Sequence, residues 1–410
     1  MWPRRDLLLA AATAATVLHV LDDATLHREP GTTIADHVTG AGATLAVLAV
    51  AAVVFPRLRA GAQATLALLL GLLAVTLGGL HVAEMALQGR VAGGDVTGLL
   101  TLAAGICALA IGALTLWRSR RRDGTRRRRY GRRALRAAAA IVVGVFVVVP
   151  VVVAVALAHK PRVVVQAAEL GRPHETVTLR TRDGLDLAAW YVPSRNGAAV
   201  IASPGRRQPV PHARILVRHG YGVLLLDLRG TAESEGDPNP FGWGSEADVE
   251  AAVDFLARRA DVRPGKIGGL GLSVGGEQLL EAAATDPRLA AVVSEGAGYR
   301  TLHEALRQGG TSTWLAAPQT AVLFGATRML SPASPPEPLD ELVPRIAPRA
   351  LLLIEAGHGQ GGESLNSLYY RRAGRPKQYW LIPEAHHTGG LEERPAEYER
   401  RVVGFFDRYL

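Results

Sequence analysis

Five long apolar stretches in the first 160 residues constrain the fold of this chain more than any other feature. They cover residues 7–22, 38–55, 63–87, 96–117 and 137–158. Most of them reach the roughly 20 residues that a helix needs to cross a bilayer, and the first is marginal at about 16. The pattern predicts an all-α transmembrane domain of about five helices over residues 1–160.

The first apolar stretch also has a second interpretation. Arg4 and Arg5 precede its apolar core and small residues occur within it, which is typical of a cleaved signal peptide as well. Four further stretches follow, so we expect an integral membrane domain under either interpretation.

The distribution of Arg residues predicts how the spans are oriented. Residues 118–136 contain eleven Arg and one Asp, which account for the net charge of +9 and leave the rest of the chain close to neutral. Arg57 and Arg59 lie in another basic loop, whereas loops 23–37 and 88–95 are neutral or acidic. The positive-inside rule then places the N-terminus in the cytoplasm and everything after the fifth stretch outside it. We interpret the Arg-rich segment as a topology anchor that contacts anionic membrane lipids, and we expect no nucleic-acid partner.

Three ionisable residues lie in or near the apolar stretches: His19, His81 and Glu84. Ionisable groups inside a membrane are functional candidates by default, but each of these lies near a span end from which its side chain can reach the interface. We therefore expect an interfacial location for them. No metal-ligand spacing or dinucleotide fingerprint stands out in the sequence, so neither a metal nor a cofactor is predicted.

From residue 161 onward the sequence is typical of a soluble domain. A hairpin over 175–192 is followed by apolar runs of strand length, with helical stretches between them, at 198–203, 222–228, 267–272, 290–294, 350–355 and 378–382. This alternation predicts an α/β domain over residues 161–410. Its sheet is expected to be mostly parallel, with an antiparallel hairpin at its N-terminal end. The segment at about 297–345 is longer than a crossover helix requires, and we expect it to form a cap that sets substrate preference.

The pentapeptide Gly271-Leu272-Ser273-Val274-Gly275 lies between one of these runs and a helical stretch. In this setting Gly-x-Ser-x-Gly predicts a nucleophile elbow, a tight turn that raises the Ser273 hydroxyl above the sheet. Bulk at either flanking position would clash with the neighbouring strand and helix, which gives both glycines a steric role. An alkyl hydroxyl also needs a base within hydrogen-bond reach and a third group that orients the base.

The order of motifs over residues about 172–410 resembles the α/β-hydrolase superfamily, in particular its dienelactone-hydrolase-like and prolyl-oligopeptidase-like serine hydrolases. The motifs that carry the resemblance are, in chain order, Ser-Pro-Gly-Arg after a strand, GYGVLLLDLRGTAESEGDP, FGWGSEADVEAAVDFL, GLSVGG, PRALLLIEAG and PEAHHTGG. The resemblance implies an α/β-hydrolase fold and a serine hydrolase activity. It does not extend to the apolar half of the chain.

The resemblance also implies the partners of Ser273. In this fold the chain order is nucleophile, acid, histidine. The family's usual Gly-Ala-Gly-His motif corresponds to Glu384-Ala385-His386-His387 in this chain, which implies that His387 is the base. The family's usual Asp has no counterpart in this chain, so the acid stays open. Glu363 is favoured, Glu295 is the alternative, and Glu355 is third.

An oxyanion hole requires two N–H donors that face the developing negative charge. The backbone of Val274, the residue after the nucleophile, is expected to supply one of them. The loop that follows the strand at 198–203 is expected to supply the other. Because Pro204 has no N–H, the backbone of Arg206 is the candidate.

Together these features predict a membrane-anchored serine hydrolase that cleaves an ester, thioester or peptide bond through an acyl-enzyme on Ser273. A carboxylic ester in a small-molecule or lipid-like acyl substrate is favoured, and the hydrolase domain is expected on the extracytoplasmic side of the cell membrane. Two alternatives stay open. One is an acyltransferase that uses a lipid or envelope acceptor, and the other is a non-catalytic membrane protein with a degenerate hydrolase domain.

Overall fold

A computed structural model of the chain describes residues 3–27, 34–88, 95–118, 142–158, 169–205, 208–237 and 241–410, with residues 131, 132, 135, 138, 139 and 239. The chain forms two compact units. The first, called the helical unit here, comprises Met1–Val163 with Pro318–Pro332. The second, called the sheet unit, comprises Val164–Ala317 with Ala333–Leu410.

The helical unit contains apolar helices: α1 (Pro3–Thr25), α2 (Ile34–Val54), α3 (Ala60–Gln88), α4 (Asp95–Arg118) and α5 (Val149–Ala158). Within the described residues, four helices have segments that are long and apolar enough to cross a membrane: Leu7–Thr25, Gly40–Arg57, Ala60–Gly79 and Val96–Leu116. The fifth predicted stretch is described only in part, as a shorter apolar helix over Gly144–Ala158 that opens with a π-helical turn. The Arg-rich segment lies almost entirely outside the described residues.

Glycines allow α3 and α4 to approach each other closely. A Cβ atom on Gly78 would lie 2.4 Å from both the Gly98 carbonyl oxygen and the Leu102 nitrogen. A Cβ atom on Gly71 would lie 2.9 Å from the Gly105 carbonyl oxygen. Small residues at such contacts are how apolar helices gain van der Waals packing in lipid, where burial of apolar surface supplies no driving force.

An eight-stranded sheet forms the centre of the sheet unit, as far as that unit is described. Its strands are β1 (Glu175–Arg180), β2 (Asp186–Val192), β3 (Ala199–Ser203), β4 (Gly222–Leu226), β5 (Ile267–Leu272), β6 (Leu289–Glu295), β7 (Ala350–His358) and β8 (Lys377–His386). They lie in the order β1-β2-β4-β3-β5-β6-β7-β8. The pairs β1/β2 and β2/β4 are antiparallel and the other neighbours are parallel, so the predicted α/β-hydrolase fold is confirmed.

The helices in this part of the chain are α6 (Val210–Arg218), α7 (Glu246–Ala257), α8 (Val274–Thr285), α9 (Leu302–Arg307), α10 (Gly310–Leu330), α11 (Leu339–Leu342), α12 (Asn366–Arg372), α13 (Gly390–Glu393) and α14 (Pro395–Tyr409). Successive strand residues enter two separate apolar cores, so that Val200 belongs to one and Ile201 to the other. Burial on both faces explains why these strands are nearly continuous apolar runs in the sequence. It also leaves the loops at the strand ends as the place where polar side chains collect.

Part of the predicted cap contributes to the helical unit. The helix α10 lies within the segment predicted as a cap, and its residues from Pro318 onward belong to the helical unit. The Gln319 side-chain nitrogen donates to the Val145 carbonyl oxygen at 3.0 Å. A Cβ atom on Gly40 would lie 3.4 Å from the Met329 carbonyl oxygen, which places the end of α10 against α2. No local pattern in the sequence predicts this division, because it depends on contacts between elements far apart in the chain.

Two neighbouring glycines on α3 provide a matched test of the packing against α4. We expect Gly78→Ala to lower the free energy of unfolding of the helical unit by about 1–3 kcal/mol, because the new methyl group would overlap the backbone of α4. Gly79→Ala is the control, since a Cβ atom there meets nothing within 4 Å. Circular dichroism, used to monitor the loss of helix in the full chain in detergent, measures the free energy of unfolding of both variants. Equal effects of the two substitutions would contradict the packing described here.

Candidate active site

Ser273 lies in a strained turn between β5 and α8. Its backbone dihedrals are φ 52° and ψ −125°, a combination that costs a non-glycine residue about 1–3 kcal/mol. Three hydrogen bonds hold the turn. The Ser273 N–H donates to the Glu295 carbonyl oxygen at 2.7 Å, and the Ser273 carbonyl oxygen accepts from the N–H groups of Gly276 (2.9 Å) and Glu277 (3.2 Å). The geometry is that of the predicted elbow.

The glycines on either side of the turn have the predicted steric role. A Cβ atom on Gly271 would lie 2.4 Å from the Gly275 carbonyl oxygen. A Cβ atom on Gly275 would lie 2.5 Å from the carbonyl oxygens of both Ser203 and Pro204. The loop that follows β3 therefore packs directly against the start of α8, and no side chain fits between them.

The His387 ring connects Ser273 to Glu363. Its Nε2 atom lies 2.9 Å from the Ser273 hydroxyl oxygen and its Nδ1 atom lies 2.8 Å from Glu363 Oε2. Because a carboxylate only accepts hydrogen bonds, Nδ1 carries the ring proton and donates it to Glu363. The Nε2 lone pair is then free to accept the hydrogen bond of the Ser273 hydroxyl. The residues that the sequence predicts as nucleophile, base and orienting acid are thus in consecutive contact.

Glu363 is held in place by a second hydrogen bond. The residue is 1% exposed, and its Oε1 atom accepts from the Ala356 backbone N–H at 2.7 Å. This bond leaves Oε2 for the imidazole. A Cβ atom on Gly359 would lie in contact with the same carboxylate, so the glycine-rich loop after β7 closes tightly around it. Of the three acids that the sequence left open, Glu363 is the one that contacts His387.

Glu295, the alternative acid, forms other contacts. Its Oε1 atom accepts from the Gly390 N–H at 2.8 Å and its Oε2 atom accepts from the Tyr398 hydroxyl at 2.6 Å. Burial raises the pKa of Glu295, but the nearby His212 ring and these two hydrogen bonds outweigh burial and hold the pKa below its usual value. Glu295 therefore connects the end of β6 to the segment after β8.

Glu355, the third candidate, bonds to the Tyr379 hydroxyl at 2.9 Å. Burial, followed by the charge of Glu363, raises the pKa of the Glu355 carboxyl. Glu355 and Glu363 both line a cavity of about 310 Å³, whose other walls include Tyr299 and Gln308. The lining includes neither Ser273 nor His387, so this cavity lies beside Glu363 and not at Ser273.

The backbone at the start of α8 is suited to an oxyanion. Val274 supplies the first N–H of the helix, and the first N–H groups of a helix have no intrahelical partner. The positive end of the helix dipole adds to this effect. The loop after β3 also borders the nucleophile, since a Cβ atom on Gly205 would lie 3.1 Å from Ser273 Cβ. Arg206, the predicted second donor, lies outside the described residues.

A buried charged cluster next to α8 was not found by sequence reasoning. Arg300 is completely buried and contacts the carboxylate of Glu281, and its backbone N–H donates to Glu304 Oε2 at 2.9 Å. Glu277, one turn after the nucleophile, accepts from the Gly298 N–H at 2.8 Å. Burial raises the pKa of Glu277 to about 7, although the charge of Arg300 opposes the shift. The only sequence signal was a pair of acids four residues apart, which is equally common on solvent-exposed helices.

Comparison with known families gives one match over about half of the chain. The profile of the family described as X-Pro dipeptidyl-peptidase (S15 family) matches residues 148–356. The matched region contains Ser273 and the elbow. It ends before Glu363 and His387.

The chain is also similar to individual proteins. The chain is 25% identical to the uncharacterized protein YfhR of Escherichia coli (strain K12) over 246 residues, which are 56% of this chain and 80% of that protein. It is 36% identical to the polyketide transferase grgF of Penicillium sp over 130 residues, which are 30% of this chain and 44% of that protein. Among solved structures, the Pyrococcus furiosus esterase Pf2001 superimposes with a TM-score of 0.49 at 20% identity, over 61% of this chain and 96% of that chain.

The raised pKa of Glu277 makes a prediction about stability and pH. The pKa of this carboxyl is higher in the folded protein, at about 7, than its unfolded value of 4.5. Its contribution to the free energy of unfolding is therefore fully present below pH 4.5 and is lost as the pH rises through about 7. The substitution Glu277→Gln removes the buried charge and retains an oxygen that accepts from Gly298. We expect the variant to equal wild type near pH 4.5 and to be more stable at pH 8, by up to about 3 kcal/mol.

Thermal unfolding of the full chain in detergent at several pH values measures this difference. Glu384→Gln is the control, because Glu384 is exposed and its pKa lies below its usual value as it bonds to Arg394. A stability difference between Glu277→Gln and wild type that does not change with pH would show that the Glu277 carboxyl does not titrate in this range.

Proposed function

The chain belongs to the family described as X-Pro dipeptidyl-peptidase (S15 family), and on this premise we propose that it is a membrane-anchored serine hydrolase. Membership makes the chain a hydrolase of the α/β-hydrolase superfamily. The proposal adds a serine mechanism, in which Ser273 carries an acyl group cleaved from an ester, thioester or peptide bond. The observation that carries it is the unbroken hydrogen-bonded path from Ser273 through His387 to the buried Glu363 carboxylate.

In the proposed first step, Ser273 attacks the carbonyl carbon of the substrate. The hydroxyl proton passes to His387 Nε2 as the new C–O bond forms, and Glu363 stabilises the resulting imidazolium through the Nδ1–H bond. The carbonyl oxygen becomes an oxyanion, which accepts from the Val274 N–H. His387 then returns the proton to the leaving alcohol, thiol or amine as its bond to the carbonyl carbon breaks.

In the second step, water takes the place of the leaving group. His387 accepts a proton from the water, whose oxygen attacks the acyl carbon. The second tetrahedral intermediate collapses to release the acid, and the proton on His387 returns to Ser273. The enzyme ends in its starting state, and no cofactor enters the reaction as proposed.

A carboxylic ester is the favoured substrate class. Esters are more reactive than amides toward the same nucleophile, so a site that is acylated by a peptide will also be acylated by an activated ester. An ester assay therefore detects activity under either substrate class. The cap at about 297–345 is proposed to set the preference for the acyl group, since loops between core elements commonly carry specificity.

Transfer of the acyl group to an acceptor other than water is a second candidate function. The similarity to a protein named polyketide transferase favours it, although that similarity covers only 30% of this chain. The acyl-enzyme would be the same, and an alcohol, lipid or sugar hydroxyl would replace water in the second step. Product analysis with a competing alcohol distinguishes the two functions.

The membrane location is also part of the proposal. Four described helices are compatible with membrane anchoring by their length and composition. We propose that they span the cell membrane and that the sheet unit faces its extracytoplasmic side, as the positive-inside rule indicates. Membrane lipids are then its neighbours and a lipid-like acyl compound is a reasonable substrate, with no role for nucleic acid.

Replacing each acid separately tests the proposed mechanism. We expect Glu363→Gln to reduce kcat for a 4-nitrophenyl ester by about 10⁴-fold, because an amide no longer fixes the required tautomer of His387. Glu355 lies nearby, but its carboxylate accepts a hydrogen bond from Tyr379. We therefore expect Glu355→Gln to change kcat by a few-fold at most. The assay uses the full chain in detergent micelles and esters of several acyl lengths.

Ser273→Ala provides the baseline for this assay. A wild-type rate that equals the Ser273→Ala rate for every ester tested, with folding verified, would contradict a serine hydrolase and favour the non-catalytic alternative. Equal effects of Glu363→Gln and Glu355→Gln would contradict the assignment of the acid.

A further inference from the structure

Three potential metal ligands meet inside the helical unit. His19 and Asp23 lie one turn apart on α1, and His81 lies on α3. The distance from His19 Nε2 to Asp23 Oδ2 is 3.4 Å, and that from His81 Nε2 to the same oxygen is 3.7 Å. The three ligand atoms all lie within 4.8 Å of one another. His19 is 1% exposed, so its side chain is buried within the helical unit.

The spacing of these atoms fits a four-coordinate metal ion. Zinc binds imidazole nitrogen and carboxylate oxygen at about 2.0–2.2 Å with tetrahedral angles, which separates neighbouring ligand atoms by about 3.3–3.6 Å. The distance of 3.4 Å lies within this range, that of 3.7 Å lies just above it, and the third separation is at most 4.8 Å. Octahedral coordination at about 2.0–2.1 Å, as around magnesium, would bring neighbouring ligand atoms to about 3 Å. Two imidazoles and one carboxylate are also ligands that zinc accepts in proteins.

Hydrogen bonds from α4 and α1 prepare His19 to act as a ligand. Thr97 donates its single hydroxyl proton to Asp22 Oδ2 at 2.7 Å. Its oxygen lies 3.2 Å from His19 Nδ1, so this oxygen accepts and Nδ1 carries the proton. In the neutral ring the lone pair is then on Nε2, the atom that faces Asp23 and His81. An orienting hydrogen bond of this kind is typical of metal-bound histidine.

A glycine on α4 makes room for the second imidazole. A Cβ atom on Gly98 would lie only 2.6–2.8 Å from the ring of His81, so any other residue at position 98 would displace it. The His81 and His19 rings are 4.7 Å apart in an edge-to-face arrangement. The close contact between α3 and α4 therefore also positions a ligand.

A small cavity adjoins the cluster. Its volume is about 80 Å³, and it is lined by His19, Asp23 and His37 together with mostly apolar side chains such as Leu73 and Leu77. Metal sites that act on a substrate commonly have three protein ligands and one open position. The cavity leaves space for a small exogenous ligand such as water at the fourth position.

We propose that His19, Asp23 and His81 bind a divalent transition-metal ion of the zinc type within the helical unit. The site is independent of the proposed hydrolase site, and it departs from the sequence-based expectation that the chain binds no metal. The charge of the ion compensates the Asp23 carboxylate among apolar helices. A proton shared between Asp23 and the two imidazoles is the rival explanation of the same geometry.

Cobalt titration of the full chain in detergent micelles distinguishes the ion from the proton. After treatment with a chelator, we expect the wild type to bind one equivalent of Co²⁺ with the strong visible absorption of four-coordinate cobalt, and Zn²⁺ to displace it. We expect Thr97→Val to weaken binding by about 10- to 100-fold, since it removes the partner that fixes His19. Asp23→Asn and His81→Gln each remove a ligand and are expected to weaken it further.

His27→Gln is the matched control, at a position two residues after the end of α1. His27 bonds to Asp22 Oδ1 at 2.8 Å, whereas Thr97 uses Oδ2, so its removal leaves the Thr97 contact in place. We expect its affinity for Co²⁺ to equal that of wild type. Zn²⁺ should raise the midpoint of thermal unfolding of the wild type and of His27→Gln but not of Asp23→Asn, which separates loss of binding from loss of folding.

Two results would overturn the proposal. One is the absence of stoichiometric cobalt binding by the wild type, which would favour a proton-sharing network, or a spectrum of the weak, six-coordinate kind, which would contradict a four-coordinate site of the zinc type. The other is an affinity in both Asp23→Asn and His81→Gln that stays within about three-fold of wild type, a smaller loss than replacement of even an outer-shell partner causes.

Discussion

The strained turn at Ser273 is the constraint on which the sheet unit depends. A positive φ at a serine is unfavourable, and it persists because the surrounding backbone leaves the chain no alternative path. Gly271 and Gly275 allow β5, α8 and the loop after β3 to approach to distances that admit no side chain. The same contacts direct the Ser273 hydroxyl toward the loops after β7 and β8. The Glu363–His387 pair then meets it, because the carboxyl ends of parallel strands lie at one edge of the sheet.

The pattern of apolar runs and the elbow were sufficient to predict the fold. All eight strands lie close to their predicted positions, and β7 and β8 extend further, to His358 and His386, because their ends pair with each other. Period and burial are local properties, so the sequence reports them directly. The carboxylate that contacts His387 could not be predicted in this way. Glu363, Glu295 and Glu355 all follow or end core strands, and only the folded loop after β7 shows which carboxylate reaches His387.

The features that sequence reasoning missed share one physical cause. Arg300 with its acidic partners, and the cluster of His19, Asp23 and His81, are each assembled from elements that are far apart in the chain. The membership of Pro318–Pro332 in the helical unit is a third case. In all of them the decisive contact is between helices or loops whose pairing no local pattern encodes. Buried polar groups need hydrogen-bond or charge partners at short distance. The partners come from distant parts of the chain, so such clusters cannot be predicted from composition or from local sequence patterns.

The proposed mechanism requires that Ser273 is the residue that becomes acylated. The most direct measurement is to react the full chain in detergent with a fluorophosphonate, digest it, and locate the phosphonyl group by mass spectrometry. We expect one adduct, on the peptide that carries Ser273, and no adduct in protein that is unfolded before the reaction. A folded wild-type protein that takes up no label, or that carries the label on another residue, would contradict it.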